Sequence, residues 1–146
     1  MKKFQFQLES VMNFKNQKLE SEKMLHAKAL LDVANKEAEI NALQMKYRET
    51  SREFNEKQLN GITILEGNIY IATIDSLERE IERQNASLRE LQKLEEYRRR
   101  QVVASKIETS SLEKLREKKY EEYLKDEKKS EELFIEEFVS RQNVCK

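Results

Sequence analysis

Along the first part of the chain, apolar residues recur at alternating steps of four and three: Leu8, Met12, Leu19, Ala29, Val33, Ile40, Leu43, Tyr47 and Phe54. The same line passes through Lys15, Glu22, His26, Lys36 and Thr50, and no insertion is needed to hold the register. Residues between the stripe positions are polar, as with Glu37, Glu39 and Asn41 around Ile40. A repeat of 3.5 residues sustained this far is the pattern of a left-handed coiled coil. Long polar side chains on the line can lay their stems along the seam with their heads in water, which loosens packing without breaking it.

A second stripe runs through Tyr70, Ile74, Leu77, Ile81, Gln84, Leu88 and Leu91. It falters at Glu95 and Arg98 and returns less strictly at Val102, Leu112 and Tyr123. Leu94, Leu115, Tyr120 and Leu124 suggest that it drifts round the helix, as coiled coils do at stutters. Between the stripes stands Asn60-Gly61-Ile62, with both glycines of the chain, Gly61 and Gly67, in that neighbourhood and no proline anywhere. Gly61 can take the left-handed conformation that closes a helix. Thr63 with Glu66 forms the spacing of a capping box for the next one. A later start, after Gly67-Asn68, is the alternative. The β-branched run Ile69–Ile74 raises a strand reading that finds no partner strand elsewhere. The expected fold is all-α: one antiparallel coiled-coil hairpin with helices over about 4–59 and 63–142 and a tip at about 60–62.

Folding about that tip brings together positions whose numbers sum to about 124, an estimate from a short helical-hairpin loop. Tyr47 then faces Leu77, Leu43 faces Ile81, Val33 faces Leu91 and Met12 faces Leu112. The pairs Ala29 with Glu95 and His26 with Arg98 are poorer, so the middle is expected to be the loosest part. Phe4 comes opposite Tyr120, and residues beyond about 122 lack an intramolecular partner on this hairpin count. Yet that overhang carries Leu133, Phe134, Ile135, Phe138 and Val139, in which Phe134 with Phe138 and Ile135 with Val139 share a helical face. Either a partner protein covers this face, or the N-terminal phenylalanines fold over it or it frays. Phe4 and Phe6 are two apart and cannot share one helical face, so the first residues are extended or one ring points outward.

Composition narrows the function. Charged residues make up 38% and hydrophobic ones 38% of 146 residues, which suits long helices rather than a globule. Lys and Arg number 28 and Asp and Glu 28, and this balance argues against nucleic acid as partner. The single Cys145 excludes an internal disulfide or a multi-cysteine metal site. After Met1-Lys2-Lys3, Gln5, Gln7, Glu9 and Ser10 interrupt any apolar run, so no secretory signal is expected. Nothing approaches the roughly 20 apolar residues of a membrane span. His26 alone cannot build a metal site and reads as a seam or flank histidine. Arg98-Arg99-Arg100 reads as a solvated face, with phosphate or an acidic partner as the other possibility. No phosphate loop, nucleophile elbow, zinc spacing or paired-carboxylate pocket is present. The expectation is therefore a non-enzyme with no catalytic residues, no cofactor and no metal.

The opening Phe4-x-Phe6-x-Leu8-x-Ser10-Val11-x-x-x-Lys15 resembles the flagellar export protein FliJ family. So does Leu112-Glu113-Lys114-Leu115-Arg116-Glu117-Lys118-Lys119-Tyr120-Glu121-Glu122-Tyr123 with the acidic-apolar tail after it. The resemblance implies a component of the flagellar type III export apparatus, shaped like the central stalk of rotary ATPases. It implies that the end bearing both termini, with Phe4, Phe6, Leu133, Phe134, Ile135, Phe138 and Val139, enters the hexameric export ATPase ring. It further implies contact with the cytoplasmic domain of the export-gate protein FlhA, for which the nearest matching positions are Leu43, Tyr47, Leu77 and Gln84, and binding of empty export chaperones. The expected protein is a cytoplasmic monomer at the inner face of the plasma membrane at the flagellar base, touching the membrane only through its partners. A generic coiled-coil adaptor, with arms pairing between chains, and the stalk protein of a virulence secretion system are the alternatives.

Overall fold

A computed structural model describes residues 2–144; Met1, Cys145 and Lys146, and with Cys145 the thiol considered above, lie outside the described residues. Two α-helices make up the fold, α1 over Glu9–Asn60 and α2 over Ile64–Val144. They pack antiparallel as a hairpin, with no strand among the described residues. Helix α1 starts later than the heptad pattern suggests, because the chain before it is drawn into side-chain contacts described below.

The turn follows from its residues. Gly61 has φ +92°, a left-handed conformation in which a side chain would strain the backbone. Thr63 then caps α2: its hydroxyl accepts a hydrogen bond from the Glu66 N–H at 3.2 Å, and its carbonyl accepts from the Gly67 N–H at 2.9 Å. Helix α2 therefore begins ahead of Gly67, not after Asn68, and the β-branched run through Ile74 is helical.

The hairpin divides into two compact units, Glu22–Gln101 and Met1–Ser21 with Val102–Lys146. In the unit that contains the turn, the register is close to the expected one. Phe54 stacks on Tyr70 with ring centroids 5.4 Å apart, Tyr47 donates to Glu78 at 2.9 Å, and Lys36 donates to Gln84 at 2.7 Å. Ala29, Ile40 and Leu77 are buried. His26 does not face Arg98. Its Nε2 lies 3.0 Å from a Glu95 carboxylate oxygen. A seam position that looks poor in apolar terms is thus occupied by a complementary polar pair.

In the other unit, Met12 and Leu19 of α1 are buried, and so are Ser105 and Thr109 of α2. Lys15 pairs with Glu108 at 2.9 Å. The α2 seam shows no stutter. Glu95, Arg98, Val102, Ser105, Thr109 and Leu112 continue the alternation of four and three and are all at least half-buried, while Leu94, Leu115, Tyr120 and Leu124 are exposed. The seam changes chemistry instead of position. Ser105 and Thr109 are small enough to fit, and Thr109 donates to the Ser105 carbonyl at 2.9 Å, so its hydroxyl is satisfied within its own helix.

Candidate partner-binding site

Residues Lys2–Leu8 form a non-helical strap against α2, turned into α1 by a bond from the Glu9 N–H to the Phe6 carbonyl at 3.1 Å. Phe4 anchors it. Its ring meets Tyr120 edge-on at 5.2 Å and Tyr123 at 5.5 Å between centroids. The Arg116 guanidinium stands 5.6 Å from the same ring, and its Nε donates to Glu9 at 3.1 Å. The Tyr123 hydroxyl donates to the Lys2 carbonyl at 2.6 Å. Edge-to-face rings and a cation over a ring face each add about 0.5–1.5 kcal/mol beyond area burial. The first residues are thus extended, as the spacing of Phe4 and Phe6 allows, and Phe4 and Phe6 are half-buried. Intramolecular partners reach Tyr123, slightly past the point that hairpin arithmetic suggests.

Beyond the strap, α2 continues with every residue of Lys128–Val144 exposed. Leu133, Phe134, Ile135, Phe138 and Val139 are 48–70% exposed. Phe4 packs on Tyr120 and Tyr123 and leaves this stripe uncovered. At about 100° per residue, Phe134, Phe138, Ile135 and Val139 share one broad face, with Glu137 along one edge and Glu132 and Glu136 along the other. An isolated helix in water gains nothing from such a face, and apolar patches of this kind rimmed by polar residues mark contact with another macromolecule.

The other group of sequence-derived positions lies in the unit with the turn. Leu77 is buried in the seam, and Leu43 is half-buried beside it. Gln84 is held by Lys36 and donates to Glu80 at 2.8 Å. Tyr47 is half-buried, as Leu43 and Gln84 are. It lines a shallow groove of about 420 Å³ with Gln44, Arg48, Glu78, Ile81 and Glu82. Its bond to Glu78, with that carboxylate's charge second, raises its phenol above the usual tyrosine range. Leu59, Ile64, Leu65, Ile69 and Ile71 around the turn are exposed as well, an apolar cluster of which only Ile69 and Ile71 stand out in the sequence.

No group of three or more His, Cys, Asp or Glu among the described residues could hold a metal ion. No described helix is long and apolar enough to cross a membrane. What the geometry offers is helical surface for docking. The family model for the flagellar FliJ protein matches residues 4–144. The chain belongs to the FliJ family. It is therefore a component of flagellar type III export, and the strap, the hairpin and the apolar tail all lie within the matched span. No curated protein and no solved structure matches the chain.

Proposed function

We propose that this FliJ-family chain is a stalk-like coiled coil that binds the hexameric flagellar export ATPase ring through Leu133, Phe134, Ile135, Phe138 and Val139. The observation that carries the reading is the exposed apolar stripe on a stretch of α2 lacking a partner helix, in a protein of the export apparatus. Apolar contact is tolerant of angle, which suits a helix seated within a ring of repeated subunits. Phe4 and Phe6 contribute from behind, by anchoring the strap at the base of the tail, in place of direct insertion. The groove beside Tyr47 is the surface for the cytoplasmic domain of FlhA, with Leu43, Leu77 and Gln84 supporting it from the seam. Empty export chaperones are the third class of partner. The protein works as a monomer at the cytoplasmic face of the membrane, held there by the apparatus.

The test is a binding and ATPase assay with the purified export ATPase. The full-length chain is expected to bind the ring and stimulate hydrolysis, and a chain lacking residues 130–146 to do neither. Unchanged binding and stimulation without those residues would rule the reading out.

A further inference from the structure

The hairpin turn ends in apolar surface. Leu59, at the end of α1, is 88% exposed, and Ile64 and Leu65, in the first turn of α2, are 85% and 72% exposed. Ile69 and Ile71 follow, each more than half exposed. Gly67, Tyr70 and Ile74 are the positions that α2 turns toward α1, and they are half-buried. At about 100° per residue, Ile64, Leu65, Asn68, Ile69, Ile71 and Ala72 spread over about 160° of the opposite side. Residues 58–74 contain one charge, Glu66, in a chain whose residues are 38% charged. Glu66 lies outside that face, about 140° from its centre.

The shape of this surface limits what can cover it. It is wider than the narrow seam that one partner helix fills. It is also short. Asp75 and Arg79 pair at 2.6 Å on the next turns of α2, and Glu53 and Lys57 at 3.9 Å close it on α1. About 13 Å of helix, curved through that arc, falls short of the roughly 800 Å² per side that a stable protein interface buries, whether with a second copy or a folded partner. A bilayer surface sets no such minimum. It wraps a convex end, and each apolar side chain that leaves water contributes on its own. Two polar side chains that go with them are already bonded. Thr63 caps α2, and the Thr73 hydroxyl donates to the Ile69 carbonyl at 2.8 Å. The Lys57 ammonium stands 5.3 Å from the centre of the Tyr70 ring, and its stem can lie along apolar surface with the charge among headgroups. Glu53, Glu56, Lys57, Asp75 and Arg79 border the face without an excess of cations, so anionic lipid is not required. We infer that the turn enters a lipid surface directly and shallowly, with Leu59, Ile64, Leu65 and Ile69 seated at the boundary between headgroups and acyl chains.

The chain has no tryptophan, so one placed at the turn reports its own surroundings. The full-length Leu65→Trp variant is titrated with phosphatidylcholine vesicles, beside Leu31→Trp, the same change at an exposed site on α1. The expected result is a blue-shifted, quencher-protected emission for Leu65→Trp and no shift for Leu31→Trp. Adding Ile64→Glu and Ile69→Glu to Leu65→Trp should raise the lipid needed for half the shift at least about ten-fold. Both sites face solvent, so helical circular dichroism is retained. Equimolar phosphatidylglycerol in the vesicles should change the titration little. No shift at position 65 overturns the inference, and so does an equal shift at position 31, the mark of general adsorption. A shift confined to phosphatidylglycerol vesicles and reversed by salt overturns it as well, since charge would then carry the contact. A shift that grows with protein concentration in the absence of lipid assigns the turn to a second copy and overturns it too. None of these readouts depends on the tail, so the ring reading stands or falls separately.

Discussion

The Phe4 ring stands edge-on to Tyr120, with centroids 5.2 Å apart and planes at 69°. This contact joins the start of the chain to α2 at the place where its intramolecular partners run out. The strap is tied to α1 through the Phe6 and Leu8 carbonyls, which accept from the Glu9 and Met12 N–H groups, and its first residues are held on α2 by that ring, by the Lys2–Tyr123 bond and by Arg116.

Phe4→Ala should therefore release the strap selectively. Removing a half-buried phenylalanine from an aromatic and cationic cluster is expected to cost about 2 kcal/mol. Urea denaturation would show the loss, and amide exchange at residues 2–8 would rise while the amides of the hairpin turn stay protected. Full protection of the strap in the variant would mean that Phe4 does not anchor it.

The heptad line of α1 was readable because its interruptions are long polar side chains that keep a seam position while reaching water. The line of α2 was harder to follow beyond Leu91. Ser105 and Thr109 are polar by type, and nothing in a hydropathy pattern shows that Thr109 satisfies itself on the Ser105 carbonyl. The nearby apolar residues Leu94, Leu115 and Leu124 drew the stripe to the wrong face. The His26–Glu95 pair was missed for a related reason, since a shift of about one helical turn decides whether His26 meets an arginine or a carboxylate. The apolar tail was legible because its spacing is strict and no facing segment is left to cover it. Leu77 was legible as a seam position from the same heptad line, and it is buried there. What the line does not decide is whether such a position also serves a partner.

The two glycines should respond in opposite directions to alanine. Gly61 holds φ +92°, so Gly61→Ala strains the turn and is expected to cost about 1 kcal/mol. Gly67 lies inside α2, and an added Cβ meets nothing within 4 Å. Gly67→Ala should therefore stabilise by about 0.5–1 kcal/mol through helix propensity alone. Thermal unfolding of the two variants checks the pair, and a lower midpoint for Gly67→Ala would contradict the open environment described.

The polar seam at Thr109 can be tested by shape. Thr109→Val keeps the branched outline and removes a hydroxyl that bonds only within its own helix, so stability should change by less than about 0.5 kcal/mol or rise slightly. Ser105→Asp places an unpaired carboxylate at the same level and should cost about 3 kcal/mol or more. Equal midpoints for the two variants would show that Ser105 and Thr109 do not face the other helix.

The groove beside Tyr47 carries a pH signature on the alkaline side. The Tyr47 hydroxyl donates to Glu78 at 2.9 Å, and this bond, then the negative charge of Glu78, holds the phenol above its ordinary value of 10.0. A group whose pKa is raised on folding contributes its stability in full below the unfolded value and loses it as pH rises through the folded one. The bond should therefore be intact at neutral pH and be lost only above pH 10. Glu78→Gln leaves a side chain that can still accept the hydrogen bond but carries no charge, so part of the elevation should disappear. Phenolate absorbance during an alkaline titration, with Tyr47→Phe identifying the component, measures both. The Tyr47 component is expected to titrate above the ordinary tyrosine value in the wild type and to move toward that value in Glu78→Gln. If it titrates at the same pH in both proteins, the charge of Glu78 does not shape this groove, and an FlhA surface built on it would have to be sought elsewhere.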